Sequence, residues 1–212
     1  MNTPKTLALL LLAANLTFPL AAAEPGRSVS LFDGKTFKGW EGDTAKTFRI
    51  QDGAIVGGNL TDKVPRNEFL ATTRQYTNFV LRLEFKLLGG PKANAGVQIR
   101  TQRIPNHHEV SGYQADMGDG WWGSIYDESR RNKVLAKADP QLTDKLVKRN
   151  EWNTYEIRCE GKRIRLVING TQTVDYTEED AKIPQFGIIA VQIHGGPPSE
   201  AWYRNLVIEE LP

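Results

Sequence analysis

Alternation with period two runs along most of the chain. From Asn78 to Leu88, Phe79, Leu81, Leu83 and Phe85 fall on one side, with Val80, Arg82, Glu84 and Lys86 on the other. That is the pattern of a strand with one buried face. Thr47-Phe-Arg-Ile-Gln51 and Ala54-Ile-Val-Gly57 flank Asp52-Gly53, a strong hairpin signal. Trp152 to Cys159, Arg163 to Ile168 and Thr171 to Tyr176 predict a meander turned at Glu160-Gly161 and Asn169-Gly170. Phe186 to Ile193 and Ala201 to Ile208 follow, around Gly195-Gly196-Pro197-Pro198. Helical signal is confined to Pro140 to Val147, capped by Asp139. About a dozen short strands without a repeat or linker predict one all-β sandwich or barrel.

The polar positions of several strands are unusual. If Val97 and Ile99 enter a core, Gln98 and Arg100 point the other way; if Val191 and Ile193 enter it, Gln192 and His194 point out. Gln114 and Asp116 share a face, and Trp121, Trp122 and Tyr126 follow closely. A solvated face usually carries Lys, Glu and Thr. Amides, a planar cation and aromatic rings instead suit a sugar, because they pair with vicinal hydroxyls and cover flat apolar ring faces. Of the adjacent Trp121 and Trp122, one is expected in the core and the other exposed. Trp40, Trp152 and Trp202 are expected to pack.

The amino terminus changes the picture of where the chain works. Lys5, the apolar stretch Leu7 to Leu20 and Ala21-Ala22-Ala23 form the pattern of an export signal. The stretch is short and interrupted for a membrane span. The expectation is a signal peptide at residues 1–23, a single domain at 24–212, and a periplasmic or extracellular mature protein with no membrane span. The formal net charge of +2 argues against a nucleic-acid partner. Cys159 is the only cysteine, so no internal disulfide forms. It shares a face with Tyr155 and Ile157 and is expected to be a buried apolar residue.

Several chemistries lack their motifs. There is no phosphate-binding glycine loop, no Gly-x-Ser-x-Gly elbow and no His-Glu-x-x-His helix. His107-His108-Glu109 is a weak metal cluster, because neighbouring strand residues point to opposite faces. A two-carboxylate glycosidase spacing is also missing. Asp116 and Asp119 flank a glycine-rich turn.

In several places the chain resembles the bacterial 3-keto-disaccharide hydrolase family. The resemblance is carried by Leu31-Phe-Asp-Gly-Lys-Thr-Phe-Lys-Gly-Trp40, Asn94-Ala-Gly-Val-Gln-Ile-Arg100, Ser111-Gly-Tyr-Gln-Ala-Asp116 and Gly123-Ser-Ile-Tyr-Asp127. Asn150-Glu-Trp-Asn153, Val167-Ile-Asn-Gly170, Gln192-Ile-His-Gly195 and Trp202-Tyr-Arg-Asn205 continue it in order. It implies a concanavalin A-like jelly roll of two curved antiparallel sheets with a concave sugar-facing side. It also implies export, and glycosides already oxidised to a ketone at C3 as substrates. Where many members carry Glu before the Gly-Ser-Ile-Tyr motif, this chain reads Gly112-Tyr113-Gln114.

A 3-keto group acidifies the C2 hydrogen, so the glycoside can break by proton abstraction, elimination and hydration. That route needs a base, an electrophile at the ketone oxygen and a proton donor for the leaving oxygen. His194 is the first candidate acid or base. Asp116 or Glu84 could be the base, orient His194 or help bind a cation, and Arg100 could face the enolate oxygen. Gln98, Gln114 and Gln192 would orient hydroxyls, Tyr126 and Trp122 would stack or donate, and Glu68 would reach the rim. A divalent metal is compatible with the resemblance, with no ligand set evident. Other readings stand beside these. Glu84 could simply pair with Arg82 or Arg100, and His194 could bond a turn. The whole face could bind carbohydrate without turning it over.

Overall fold

Two antiparallel sheets pack face to face because nearly every strand alternates apolar and polar residues. The computed structural model describes residues 26–212, so the expected signal peptide lies outside the described residues. The strands begin with β1 (Ser28–Ser30), β2 (Trp40–Glu41), β3 (Phe48–Gln51), β4 (Ala54–Asn59) and β5 (Glu68–Tyr76). Next come β6 (Phe79–Gly89), β7 (Asn94–Arg103), β8 (Val110–Gly118), β9 (Ile125–Glu128) and β10 (Lys133–Ala136). A short helix α1 (Pro140–Leu146) precedes β11 (Asn153–Glu160), β12 (Arg163–Ile168), β13 (Thr171–Thr177), β14 (Gly187–Ile193) and β15 (Ser199–Glu210).

The first sheet has the order β13-β12-β11-β6-β15-β4-β3, with β1 added along β15. The second has the order β10-β9-β8-β7-β14-β5-β2. Neighbours such as β6 and β15, or β7 and β14, are far apart in the chain. This is a jelly-roll sandwich, one of the two architectures the strand pattern allows and the one the resemblance implies. The Asp52-Gly53 hairpin forms between β3 and β4, with both turn residues at positive φ (50° and 73°). Asp139 caps α1 by accepting the Gln141 amide.

The core lies between the sheets. Val97, Ile99, Tyr113, Met117, Val191 and Ile193 meet Leu81, Leu83, Phe85, Ile157, Leu166 and Tyr203, all buried in one cluster. Cys159 is buried in the same cluster. Tyr203 spans the gap between layers: its hydroxyl lies 2.6 Å from the Gln192 carbonyl and 3.2 Å from that of Gly96. Those two residues are register partners on β14 and β7. On the outer face of the first sheet, Trp152 and Trp202 pack edge to face beneath the Lys86 ammonium.

Candidate functional site

The outer face of the second sheet gathers Gln98, Gln114, Asp116, Tyr126 and Gln192 of the sequence candidates. Strand register sets residues in rows across it. Tyr126, Gln114, Gln98 and Ala190 are successive partners on β9, β8, β7 and β14. The row beside it contains Asp116, Gly96 and Gln192. On the other side, Glu128 pairs with Gly112. Directly paired residues share a face, so Glu128, Tyr126, Gln114, Asp116, Gln98 and Gln192 lie on one surface. Gly96 makes the packing possible. A Cβ there would fall 2.7 Å from Cγ of Gln114, so only glycine lets that side chain lie across β7.

A cavity of about 550 Å³ opens over one end of this surface. It is lined by Lys92 just before β7, Asn94 at the start of β7, Gln114 and Asp116 of β8, and Tyr126 and Glu128 of β9. Trp121 from the β8–β9 connection and His194 to Pro197 after β14 complete it.

The amides form a support beneath two acids. Gln98 Nε2 donates to Gln114 Oε1 at 2.5 Å, and Gln114 Nε2 donates to Asp116 Oδ1 at 2.6 Å. Gln192 Nε2 reaches Glu128 Oε2 at 3.5 Å. The other oxygen of Asp116, Oδ2, is buried without a partner, as are Oε1 of Gln98 and of Gln192. Burial pushes the Asp116 carboxyl up to about 7, against the Gln114 hydrogen bond and with help from the Glu128 charge. Burial likewise pushes Glu128 up to about 7, with the nearby Glu109 charge adding to it. Two neighbouring carboxyls that both titrate near neutrality form an acid–base pair suited to proton transfer.

His194 stands at the mouth, exposed. Its backbone amide donates to the Asn94 carbonyl at 3.1 Å, and its Nδ1 lies 2.7 Å from the Gly195 carbonyl. A carbonyl only accepts, so Nδ1 is the donor in that contact and Nε2 is left on the other edge of the ring. The turn that carries it is anchored: Gly195 donates to Asn67 Oδ1 at 2.9 Å, and Gly196 exchanges hydrogen bonds with Val64. The imidazole therefore bonds a turn and still presents a free nitrogen.

Of the candidates from sequence, the structure gathers Asp116, Gln114, Tyr126 and His194 around the cavity. Gln98 and Gln192 share their face but are fully buried (0 % exposed) beneath that lining. They position Gln114 and Glu128 and do not reach a ligand.

The remaining candidates lie elsewhere. Glu84 is on β6, in the other sheet, where Arg204 and Asn205 hold it at 2.7 and 2.8 Å. Arg100 sits at φ 48° where the β7–β8 register shifts between Ile99 and Gln102. A bulge breaks the alternation that would have kept it beside Gln98. Its guanidinium turns inward to the carbonyls of Thr77 and Gly161 and to the side chains of Gln185 and Asn78. Trp122 is the core member of its pair, stacked on Phe85, and Trp121 takes the place on the cavity. Glu68 pairs in register with Ile193, one strand position out of phase with Gln192, and bonds Arg66.

Glu128 was not among the sequence candidates. Its signal was present: Tyr126 and Glu128 are two apart, so any strand that shows Tyr126 to the site shows Glu128 as well. Among the described residues, no group of three or more His, Cys, Asp or Glu gathers as a metal set. His107 and His108 stack at 4.4 Å, with His108 Nδ1 against the Asn67 carbonyl and Glu109 against the Ser129 hydroxyl. At the cavity, Asp116 and Glu128 offer only hard oxygen donors, which suit an ion of the magnesium, calcium or manganese kind.

Residues 27–209 match the profile of the 3-keto-alpha-glucoside-1,2-lyase-like domain. No curated protein matches the chain. Among solved structures, two from Parabacteroides distasonis ATCC 8503, each described as a candidate glycosyl hydrolase, superpose with a TM-score of 0.66. One is 19% identical and the alignment covers 87% of this chain and 94% of that one; the other is 23% identical, with 87% and 100% covered. The carbohydrate-binding module CBM66 from Bacillus subtilis superposes with a TM-score of 0.62 at 13% identity, over 81% of this chain and 96% of that one. At these identities the likeness is one of fold.

Proposed function

The chain belongs to the 3-keto-alpha-glucoside-1,2-lyase-like family, and on that premise we propose that it cleaves 3-keto-glucosides by elimination across C1 and C2. The observation that carries this reading is the pair Asp116 and Glu128, both held near 7 at the edge of one cavity.

The chemistry divides between three groups. Asp116, ionised and with Oδ2 free, takes the C2 proton. The electrons move to the ketone, where the protonated carboxyl of Glu128 donates a hydrogen bond to the developing enolate oxygen. A buried neutral carboxylic acid is a good electrophile for that purpose. As the enolate collapses, the C1–oxygen bond breaks. His194, entering the reaction protonated on both ring nitrogens, gives its Nε2 proton to the leaving oxygen and returns to the neutral ring, and the products are a 1,2-unsaturated 3-keto sugar and the free alcohol. Water adding across the double bond then gives the free 3-keto sugar. Gln114 and Tyr126 face the cavity and would orient hydroxyls, while Gln98 holds Gln114 and Gln192 holds Glu128 from behind. We also propose that residues 1–23 direct export and are removed, which puts the enzyme in the periplasm or outside the cell.

The test is incubation of the mature protein with a 3-keto-glucoside and with its unoxidised parent, each with and without chelator. Turnover of the keto sugar alone is expected. Comparable release of sugar from the parent would make the protein a conventional glycosidase. Binding of both sugars without product would make it a carbohydrate-binding module.

A further inference from the structure

The turn that carries His194 is held by a segment with no part in the chemistry above. Residues Val64 to Asn67 lie just before β5, and Gly195 and Gly196 run against them. A Cβ on Gly195 would fall 2.7 Å from the Arg66 Cα, so only glycine lets the two backbones come this close. Both peptide groups around Gly195 are bonded to that segment. The Gly195 amide donates to Asn67 Oδ1, and the Gly196 amide donates to the Val64 carbonyl, each at 2.9 Å. One residue earlier, the His194 amide donates to the Asn94 carbonyl at 3.1 Å.

These bonds aim a carbonyl. Peptide groups are planar, so bonding the amide on each side of Gly195 sets the two planes that meet at its Cα. The direction of its carbonyl follows, and that carbonyl takes the Nδ1 hydrogen of His194 at 2.7 Å. The imidazole is exposed, so packing does not fix its side-chain torsions and this hydrogen bond does. With Nδ1 occupied, Nε2 is the nitrogen left to the cavity that the ring lines. Of the bonds that hold the turn, those to Val64 and Asn94 go to main-chain carbonyls, which any residue supplies. The bond to Asn67 goes to a side chain. Asn67 is held from behind in its turn, because the His108 Nδ1 lies 2.8 Å from its carbonyl and Glu68, the next residue, pairs in register with Ile193.

We infer that Asn67 is a positioning residue for His194: through Gly195 it fixes the imidazole with Nε2 toward the cavity, and His108 backs it. The inference rests on the reading above for what His194 does there. An acid held in one orientation delivers its proton without first giving up rotational freedom, and a third group that orients the histidine is the usual means.

The experiment reads the ring itself as well as the rate. Nitrogen NMR spectra of the His194 imidazole and single-turnover rates on a 3-keto-glucoside are measured for the mature parent protein, Asn67→Ala and Asn67→Asp, with thermal melts as the folding control. In the parent the neutral ring should keep its hydrogen on Nδ1. Asn67→Ala should give a mixture of both tautomers and slow the chemical step by about ten- to a hundredfold, with substrate affinity unchanged. Asn67→Asp keeps an accepting oxygen in the same place and should keep both the Nδ1 signal and most of the rate. The double variant Asn67→Ala/His194→Gln should be no slower than His194→Gln alone. A His194 spectrum unchanged by Asn67→Ala would overturn the inference, and so would losses of rate that multiply in the double variant. Should Asn67→Ala not fold, Asn67→Ser, whose hydroxyl is too short to reach Gly195, takes its place. If the parent turns over no keto sugar, the proposed reaction fails and the spectrum alone decides whether Asn67 fixes the ring.

Discussion

Gln114 donates its side-chain amide to Asp116 at 2.6 Å from two positions earlier on the same strand. The bond satisfies one carboxylate oxygen and leaves the other free. It favours the ionised form, yet burial outweighs it and the carboxyl still titrates near 7. An acid poised in this way is expensive to bury as a charge, and the cost makes it measurable.

The first prediction is a pH-dependent stability. On folding, burial moves the carboxyls of Asp116 and Glu128 from their ordinary values of 3.8 and 4.5 to about 7. Between about pH 4 and pH 7 the folded state therefore holds more protons than the unfolded one. Stability should fall as pH rises through that window and level off above it. Asp116→Asn removes one of these groups, so its melting temperature should exceed the parent's at pH 8 and approach it at pH 4. Turnover of a 3-keto-glucoside by Asp116→Asn should drop by about two to four powers of ten. In the parent, the rate should follow a bell whose two limbs belong to the carboxyl pair. Thermal melts across pH and the rate profile check both. Parallel stability curves for the parent and Asp116→Asn would show that the group is not poised.

His194→Gln keeps size and polarity and removes the titrating ring. The chemical step should slow by about two to four powers of ten, while affinity for the substrate persists. Single-turnover rates and binding constants separate the two. Equal turnover by the variant and the parent would make the histidine a turn residue only.

Gly96→Ala tests the amide support without touching an acid. The new methyl would meet Gln114 Cγ at 2.7 Å, so Gln114 must leave Asp116 or β7 must shift. A cost of about 1–3 kcal/mol in stability is expected from the overpacking. The acid limb of the rate profile should move up, because the bond that favours ionised Asp116 is lost. A profile identical to the parent's would exclude a role for this glycine in placing Gln114.

Glu84→Gln should leave turnover within about twofold of the parent, because its partners Arg204 and Asn205 belong to the other sheet. The lost ion pair should cost no more than about 1 kcal/mol. Steady-state kinetics with a denaturation curve decides it. A large fall in turnover with stability intact would return Glu84 to the reaction.

The mature chain should begin at Glu24. Intact mass from an exporting host measures it, and a product that keeps residues 1–23 would end both the cleavage and the export proposals.

By itself the sequence determined β3, β4, β6 to β8 and β11 to β15, the Asp52-Gly53 turn, the cap at Asp139 and, up to the bulge at Arg100, the phase of these strands. It set Gln114 beside Asp116 and Gln98 opposite Val97, because side-chain alternation and turn chemistry are local. The family motifs carried the jelly roll and four of the residues now around the cavity. Tertiary structure decided what phase leaves open: which sheet a strand joins and which strand lies beside it. Glu84 and Gln98 have equally good outward positions, yet pairing of β6 with β15 and of β7 with β14 puts them on opposite layers. Glu128 came to share a face and a cavity with Asp116 only when β9 paired with β8. Arg100 left the site through a bulge whose cause is the register of its neighbour. The pKa of Asp116 follows from burial, and burial is a property of everything packed around a residue rather than of the residues next to it in the chain.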